Sequence, residues 1–186
     1  ISVQRIYIQE SVYQPFLDCF LPQVASLRAG DPLDENTSFG SMITQAAAER
    51  AEGWIAEAVN EGATLLTGGK RVGAVMEPTV LSQTTPLMKV NCEEVFAPIV
   101  TVTPYRTMED AIAAVNRSPY GLQAGLFTRD IQAVFQSFDR IDVGGLIVND
   151  VPTYRIDHMP YGGMKESGVG REGIRYAIEE MTELKL

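Results

Sequence analysis

The sequence contains few of the residues that most often carry metal binding or nucleophilic catalysis. Its 186 residues include two cysteines, Cys19 and Cys92, and a single histidine, His158. Two cysteines in a chain of this length do not form a disulfide framework and favour a reducing compartment, so we expect a cytoplasmic protein. One histidine cannot supply a histidine-rich metal site or a convincing Cys–His or Ser–His pair, and no metal site is predicted.

Basic charge is also scarce. The chain has 15 Lys and Arg residues against 24 Asp and Glu residues, which gives a formal net charge of -9. Nucleic acids and anionic membranes both require a positive surface, so neither is expected as a partner. No apolar run approaches the length of a membrane span, and the start of the chain lacks the pattern of a signal peptide. The 45% of apolar residues is ordinary for a globular domain.

Short apolar strands alternate with amphipathic helices along the chain. Such βα alternation predicts an α/β fold with a parallel β-sheet and helices on both faces, in a single domain. Strands are expected at 5–9, 63–67, 78–81, 99–104, 123–128 and 145–149, and helices at 12–27, 45–60, 108–116 and 131–138. Ser11 is expected to cap the first helix, with Phe16, Phe20 and either Val24 or Leu27 on its buried face, and Val59 is expected on the buried face of the second.

A glycine-rich tail, Pro160–Gly173, precedes the last helical segment. Gly168, Gly170 and Gly173 formally match the G-x-G-x-x-G pattern of dinucleotide-binding folds. That pattern requires a strand before it and an acidic residue about twenty positions later. Residues 161–167 are too polar and glycine-rich for a strand, and the chain ends at Leu186. The match is therefore not interpreted as a dinucleotide site.

Five separated segments instead stand in the order and spacing typical of one enzyme family. They are Gly68–Gly69 followed by Glu77–Val80, then Asn91–Pro98, Tyr120–Asp130, Gly144–Asn149 and Pro160–Gly173. From Ile1 to Leu186 the chain resembles the C-terminal part of the catalytic domain of aldehyde dehydrogenases. In that family a strand similar to Ile1–Ile8 follows the catalytic cysteine. The resemblance therefore implies a fragment that begins just after its nucleophile and holds no catalytic residue itself.

The resemblance assigns cofactor contacts to Glu94 and Phe96. In the family the glutamate holds the nicotinamide ribose hydroxyls of NAD or NADP, and the phenylalanine packs near the nicotinamide ring. A carboxylate can accept two hydrogen bonds from vicinal hydroxyls, and an aromatic face can orient the ring. From the residues alone, Phe96 could equally be a core residue and the acidic pair a helix cap or solvated turn. Ala97 replaces the usual glycine, which puts the local backbone geometry in question.

The loop 149–159 corresponds to the segment that lines the aldehyde entrance in this family. Tyr154 and Arg155 are the candidate substrate-binding residues there, because a guanidinium can clamp a phosphate, phosphonate or carboxylate. The alternative is a surface arginine paired with Asp150 or Asp157. The tail resembles enzymes for lactaldehyde, glyceraldehyde 3-phosphate and phosphonoacetaldehyde, so a small hydroxy- or anionic aldehyde is the expected substrate.

Neither cysteine is expected to replace the missing nucleophile. Cys19 falls in the middle of a helix between Phe16 and Phe20, a position typical of a small buried residue. Cys92 adjoins two acidic residues, whose negative charge disfavours a thiolate.

The last five residues, Thr182–Leu186, alternate like a strand. The family uses this segment to pair with a neighbouring subunit, so the resemblance implies a homo-oligomer, either a dimer or a tetramer. Residues 1–181 would form the catalytic-domain part and residues 182–186 the contact strand. An edge strand on the chain's own sheet is the alternative.

The function implied is oxidation of an aldehyde to a carboxylate with NAD(P)+ through a cysteine thioester, with the isolated chain inactive. A CoA-acylating enzyme and a non-catalytic assembly module remain alternatives. We expect Glu94 and Phe96 near the carboxyl ends of strands, facing one cleft with the start of the Ile1 strand.

Overall fold

The computed structural model describes residues 2–186, which fall into two compact units. The first unit comprises Gln4–Arg106, and the second comprises Thr107–Leu186 with residues 2 and 3. The sequence did not indicate this subdivision. Ile1, the expected start of the first strand, lies outside the described residues.

The first unit is built on a four-stranded sheet in the order β1-β6-β5-β2. Strands β1, β6 and β5 run parallel, with Arg5 opposite Thr101 and Thr79 opposite Ile99. The predicted parallel α/β architecture is confirmed. The elements are β1 (Arg5–Gln9), α1 (Glu10–Ser26), α2 (Gln45–Asn60), β2 (Thr64–Thr67), β3 (Arg71–Val72), β4 (Val75–Met76), β5 (Thr79–Ser82), α3 (Lys89–Cys92) and β6 (Ile99–Tyr105).

The sheet of this unit has an apolar core on each face because successive side chains of a strand point to opposite sides. Helix α1 covers one face and α2 covers the other. The core beneath α1 contains Ile8, Leu17, Val24, Val80 and Val102. The core beneath α2 contains Ala51, Ile55, Leu81, Val90, Val95 and Ile99.

Strand β2 departs from the parallel arrangement and pairs antiparallel with β5. The connection between them holds only the small β3–β4 hairpin. A parallel partner would need a longer crossover, usually a helix, so the short connection requires the chain to reverse. The reversal begins at Gly68, whose φ of +78° suits glycine and where a Cβ atom would collide with the Pro78 carbonyl oxygen.

Four details of the predicted helices are wrong. Helix α1 begins at Glu10, directly after β1 and without a side-chain cap, so Ser11 lies inside the helix and is not its cap. Of the two alternatives for the buried face of α1, Val24 is buried, whereas Leu27, predicted to end the helix, follows it and is exposed. Val59 is exposed while its neighbour Ala58 is buried. Cys19 is exposed, not buried, because α1 turns Leu17 and Val24 towards the sheet.

The second unit contains two strand pairs. Strands β8 and β9 are parallel, with Gln123 opposite Gly145, and β7 and β10 are antiparallel. Its elements are α4 (Met108–Asn116), β7 (Tyr120–Gly121), β8 (Gln123–Leu126), α5 (Ile131–Arg140), β9 (Gly145–Val148), β10 (Met164–Lys165) and α6 (Ile174–Met181). The two-residue β10 corrects the expectation of no strand before Gly168, but it belongs to an antiparallel ribbon and creates no dinucleotide-binding turn.

The terminal segment Thr182–Leu186, predicted to be a strand, forms no strand within this chain. Leu184 and Leu186 are fully exposed. Within residues 2–186 this segment pairs with no strand, so the alternative of an edge strand on the chain's own sheet is wrong.

Candidate functional site

The segment 93–98 carries the predicted cofactor residues and connects α3 to the first residue of β6. The Pro98 carbonyl accepts a hydrogen bond of 2.8 Å from the Thr79 amide at the start of β5. The segment therefore lies at the amino ends of the parallel strands. The expectation that it lies at their carboxyl ends is wrong, because this connection leads into β6 and does not leave it.

Val95 anchors the middle of this segment. Its side chain is 1% exposed in the core beneath α2. Its amide donates a hydrogen bond of 3.1 Å to Gln4 Oε1, and its carbonyl accepts one of 2.8 Å from Arg50 Nη2. The Arg50 guanidinium also lies 4.4 Å from the centre of the Trp54 ring. Val95 is thus fixed at its side chain and at both of its backbone polar groups.

Glu94 and Phe96, the two neighbours of Val95, point away from the core. Both are exposed, Phe96 by 74% of its surface. Neither side chain makes a hydrogen bond, an ion pair or a ring contact within residues 2–186. The structure brings these two predicted residues together on one anchored segment, and the alternative of Phe96 as a core residue is wrong. The position of Ile1 relative to them lies outside the described residues.

Phe96 adopts a left-handed backbone conformation with φ of +50°. Such values are uncommon for a residue with a bulky side chain and are often found at functional sites. The neighbouring Ala97 has no positive φ, so the replacement of the family's glycine causes no strain at that position. This conformation directs the aromatic ring into solvent, where the ring is not buried and does not stabilise the isolated chain.

The helix before this segment is tied to its surroundings by polar contacts. Arg5 Nη1 donates a hydrogen bond of 3.1 Å to the Asn91 carbonyl, and the Thr101 hydroxyl donates one of 2.8 Å to Asn91 Oδ1. Lys89 Nζ lies 2.7 Å from Glu57 Oε2 on α2. The hydrogen bond to the Glu57 carboxylate raises the pKa of the Lys89 ammonium. Helix α3 is therefore held to both β1 and α2.

The predicted substrate residues Tyr154 and Arg155 belong to the second unit. The Arg155 guanidinium lies 4.6 Å from the centre of the Tyr161 ring and makes an ion pair of 2.8 Å with Glu172. Its partner is thus Glu172, and the proposed pairing with Asp150 or Asp157 is wrong. Sequence distance concealed this pair, since Glu172 follows the glycine-rich turns of the tail.

The second unit has a surface cavity of about 410 Å³, and Arg155 itself is not among the residues that line it. Tyr161 and Glu172, the two residues that Arg155 contacts, both line it. Tyr154 is exposed, and its backbone carbonyl accepts a hydrogen bond of 3.3 Å from Gln123 Nε2. An oxyanion that reached the Arg155 guanidinium would compete with the Glu172 carboxylate for it.

The other reactive side chains form no site among residues 2–186. Cys19 and Cys92 are both free thiols, and the sulfur of Cys92 donates to the Leu87 carbonyl at 3.4 Å. No group of three His, Cys, Asp or Glu residues could hold a metal ion in this range. Likewise, no helix in the described range is long and apolar enough to cross a membrane.

The comparisons with known proteins identify the family of the chain. A model of the aldehyde dehydrogenase family matches residues 1–186. Together with the parallel α/β fold, this match shows that the chain belongs to the aldehyde dehydrogenase family, and the predicted resemblance is confirmed.

One curated relative and two solved structures give the extent of the similarity. The 3-sulfolactaldehyde dehydrogenase of Priestia aryabhattai is 50% identical over the whole chain, which spans 39% of that protein. Aldehyde dehydrogenase 21 from Physcomitrella patens, in complex with its reaction product succinate, has a TM-score of 0.95 and 42% identity over 98% of this chain and 38% of its own. Glyceraldehyde-3-phosphate dehydrogenase GapN from Methanocaldococcus jannaschii, complexed with NADP, has a TM-score of 0.94 and 38% identity over 100% of this chain and 40% of its own.

Proposed function

We propose that a longer protein carrying this chain is an NAD(P)+-dependent aldehyde dehydrogenase. The observation that carries the proposal is the anchored segment at Val95, which holds Glu94 and Phe96 out to solvent without partners in residues 2–186. Family membership supports the same reaction class. Because the chain spans 39% of its 50%-identical relative, the nucleophile and most of the cofactor-binding surface are assigned to the remainder of such a protein.

Glu94 and Phe96 fit one half of a nicotinamide nucleoside. An ionised carboxylate has free acceptor positions for the two neighbouring hydroxyls of a ribose, and these charge-assisted hydrogen bonds fix the sugar. An exposed aromatic ring two residues away can pack against the base carried by that sugar. The bound cofactor supplies the hydride acceptor, while these two residues orient it.

The reaction proposed for the whole protein proceeds through a cysteine adduct. A thiolate from the part of the whole protein outside this chain adds to the aldehyde carbon and forms a hemithioacetal. The carbon–hydrogen bond of this adduct then breaks, its hydrogen leaves with the electron pair as the hydride that NAD(P)+ would accept, and the carbonyl that re-forms belongs to a thioester. Water then attacks the thioester carbon, releasing the carboxylate and restoring the thiol. This chain contributes the residues that orient the reacting groups.

We propose an anionic aldehyde as the substrate, contacted by Arg155 and Tyr154. The names of three similar proteins support this choice, because 3-sulfolactaldehyde, glyceraldehyde 3-phosphate and the product succinate each carry an anionic group apart from the reacting carbon. Arg155 contacts two residues that line a cavity, Tyr161 and Glu172, and it is held by one exposed ion pair that another anion can replace. Its planar guanidinium suits sulfonate, phosphate and carboxylate oxygens alike.

The proposal predicts that enzymatic turnover requires more than this chain. A full-length protein carrying it should reduce NAD+ or NADP+ in the presence of an aldehyde, as measured by absorbance of the reduced cofactor. Purified residues 1–186 should give no steady turnover, since neither Cys19 nor Cys92 belongs to a catalytic arrangement. Turnover by the isolated chain that survives replacement of both cysteines would contradict the assignment of the nucleophile to a preceding segment.

We also propose that the protein is a cytoplasmic homo-oligomer in which Thr182–Leu186 adds a strand to a neighbouring subunit. The full exposure of Leu184 and Leu186 supports this role, because an extended apolar chain end gains stability only by pairing. The two free cysteines support a reducing compartment.

Replacing Leu184 and Leu186 together by Asp is expected to shift the full-length protein to a smaller assembly, because strand pairing would then bury charge. Light scattering after size-exclusion chromatography measures the mass. Replacing Glu183 and Lys185 by Ser alters the opposite side of the same segment and should leave the mass unchanged. Retention of the original mass in the Leu variant would contradict the proposed strand addition.

A further inference from the structure

Gln4 uses its entire side-chain amide to hold the segment that carries Glu94. Its Nε2 donates hydrogen bonds of 3.0 Å to the Val90 carbonyl and 2.7 Å to the Glu93 carbonyl. Its Oε1 accepts the hydrogen bond of 3.1 Å from the Val95 amide. Both donor hydrogens and the acceptor oxygen are therefore satisfied by one short stretch of backbone.

These hydrogen bonds fix the peptide groups on both sides of Glu94. The Glu93 carbonyl belongs to the peptide bond before Glu94, and the Val95 amide belongs to the one after it. Fixing both peptide planes restricts the backbone rotations that aim the Glu94 side chain. The backbone thereby sets the direction in which the Glu94 side chain leaves the main chain.

The backbone of Gln4 is itself held by the sheet. Gln4 precedes β1, and its carbonyl accepts a hydrogen bond of 2.9 Å from the Thr101 amide on β6. The next residue, Arg5, pairs in register with Thr101 and reaches the Asn91 carbonyl. The side chain of Gln4 thus connects the parallel sheet directly to the segment 90–95.

We infer that Gln4 is a positioning residue for cofactor binding, which it serves by setting the direction of Glu94 and, through Val95, of Phe96. This inference rests on the proposed role of Glu94 in holding a ribose. Burial of Val90 and Val95 already keeps the segment on the protein, so the specific contribution of Gln4 is orientation. A side chain that only stabilised the fold would not need to contact the peptide groups on both sides of one exposed carboxylate.

The test uses the full-length protein with Gln4→Met, which keeps the length of the side chain and removes its hydrogen bonds. The dissociation constant of the cofactor, NAD+ or NADP+, should rise roughly tenfold, because the carboxylate is no longer held in place. Hydrogen–deuterium exchange of the Val95 amide should accelerate roughly tenfold or more. Gln23→Met removes a glutamine that donates to the Cys19 carbonyl at 3.0 Å on an exposed helix face, and it should change neither quantity.

Coupling to Glu94 distinguishes positioning from general stabilisation. In a Glu94→Gln background, Gln4→Met should weaken cofactor binding by less than about threefold, since its effect acts through the carboxylate. An equal loss in both backgrounds would overturn the inference. So would faster exchange at Val95 with unchanged cofactor binding, provided that Glu94→Gln alone weakens binding.

Failure of the proposed function gives a different result. If Glu94→Gln leaves cofactor binding unchanged, the proposed contact of Glu94 with the ribose is wrong. The positioning role of Gln4 is then wrong as well, even if hydrogen–deuterium exchange at Val95 shows that Gln4 holds the segment. If Gln4→Met does not fold, Gln4→Glu serves in its place, because it keeps the acceptor for Val95 and loses the two donors. This variant should also weaken cofactor binding, and unchanged binding would overturn the inference.

Discussion

Arg155→Ala in the full-length protein is expected to lower kcat/KM for 3-sulfolactaldehyde roughly ten- to a hundredfold. Loss of a charge-assisted contact to an anion costs about 1.5–3 kcal/mol, and that contact is available only to a substrate with an anionic group. Lactaldehyde, which has the same carbon chain and hydroxyl without the sulfonate, should lose less than about threefold. Steady-state rates with the two aldehydes measure the difference directly.

The second unit offers a closely matched control in Arg140. Its side chain is 46% exposed and pairs at 3.3 Å with Glu109, which is 63% exposed. Arg155 is also 46% exposed and pairs at 2.8 Å with Glu172, which is 64% exposed. Exposed pairs contribute about 0–1 kcal/mol, so Arg140→Ala should reduce both activities little and equally. An equally small and unselective effect of Arg155→Ala would eliminate the anion contact.

Glu172 provides a test in the opposite direction. Its carboxylate accepts a hydrogen bond from the Arg155 guanidinium, the group that the substrate anion would bind. Glu172→Gln should therefore raise kcat/KM for 3-sulfolactaldehyde, by roughly two- to fivefold if the exposed pair is worth up to about 1 kcal/mol. Lactaldehyde should not benefit. A gain with both substrates would indicate a general change of the loop and not release of Arg155.

The sequence predicted the alternating elements well because each relies on a local pattern. Helix α4 occupies its predicted range, Met108–Asn116, with Thr107 and Asp110 forming a capping box. Apolar spacing and capping residues are properties of neighbouring positions, so they can be recognised without the fold. The start of α1 was missed for the same reason, since no capping residue marks a helix that continues directly from a strand.

The support of the candidate site could not be predicted in this way. Gln4 and Val95 are 91 residues apart in sequence, and Arg50 and Val95 are 45 apart. Their contacts depend on the pairing of β1 with β6 and on the packing of α2, neither of which leaves a local signal. A lone glutamine before an apolar strand looks like any solvated residue. The family motif indicated Glu94 and Phe96, but only the fold shows what holds them.

Glu94→Gln in the full-length protein is expected to weaken cofactor binding roughly ten- to a hundredfold. The substitution keeps the size of the side chain but removes the charge and one acceptor oxygen. Charge-assisted hydrogen bonds to the ribose hydroxyls, each worth about 1.5–3 kcal/mol, would then be replaced by neutral bonds worth about 0.5–1.5 kcal/mol each. Titration of the protein with NAD+ and with NADP+ measures the dissociation constants.

Glu93→Gln is the control that separates a specific contact from a change of local charge. Glu93 is the preceding residue, is also exposed, and makes its contact with Gln4 through its backbone carbonyl, which the substitution preserves. Both variants remove one negative charge within two adjacent positions, so a purely electrostatic effect on the anionic cofactor would be similar in the two. Removing negative charge near the cofactor phosphates should strengthen binding slightly, if it acts at all. Weaker binding in Glu94→Gln alone would identify a hydrogen-bonding contact, whereas unchanged binding in both would leave Glu94 without its proposed role.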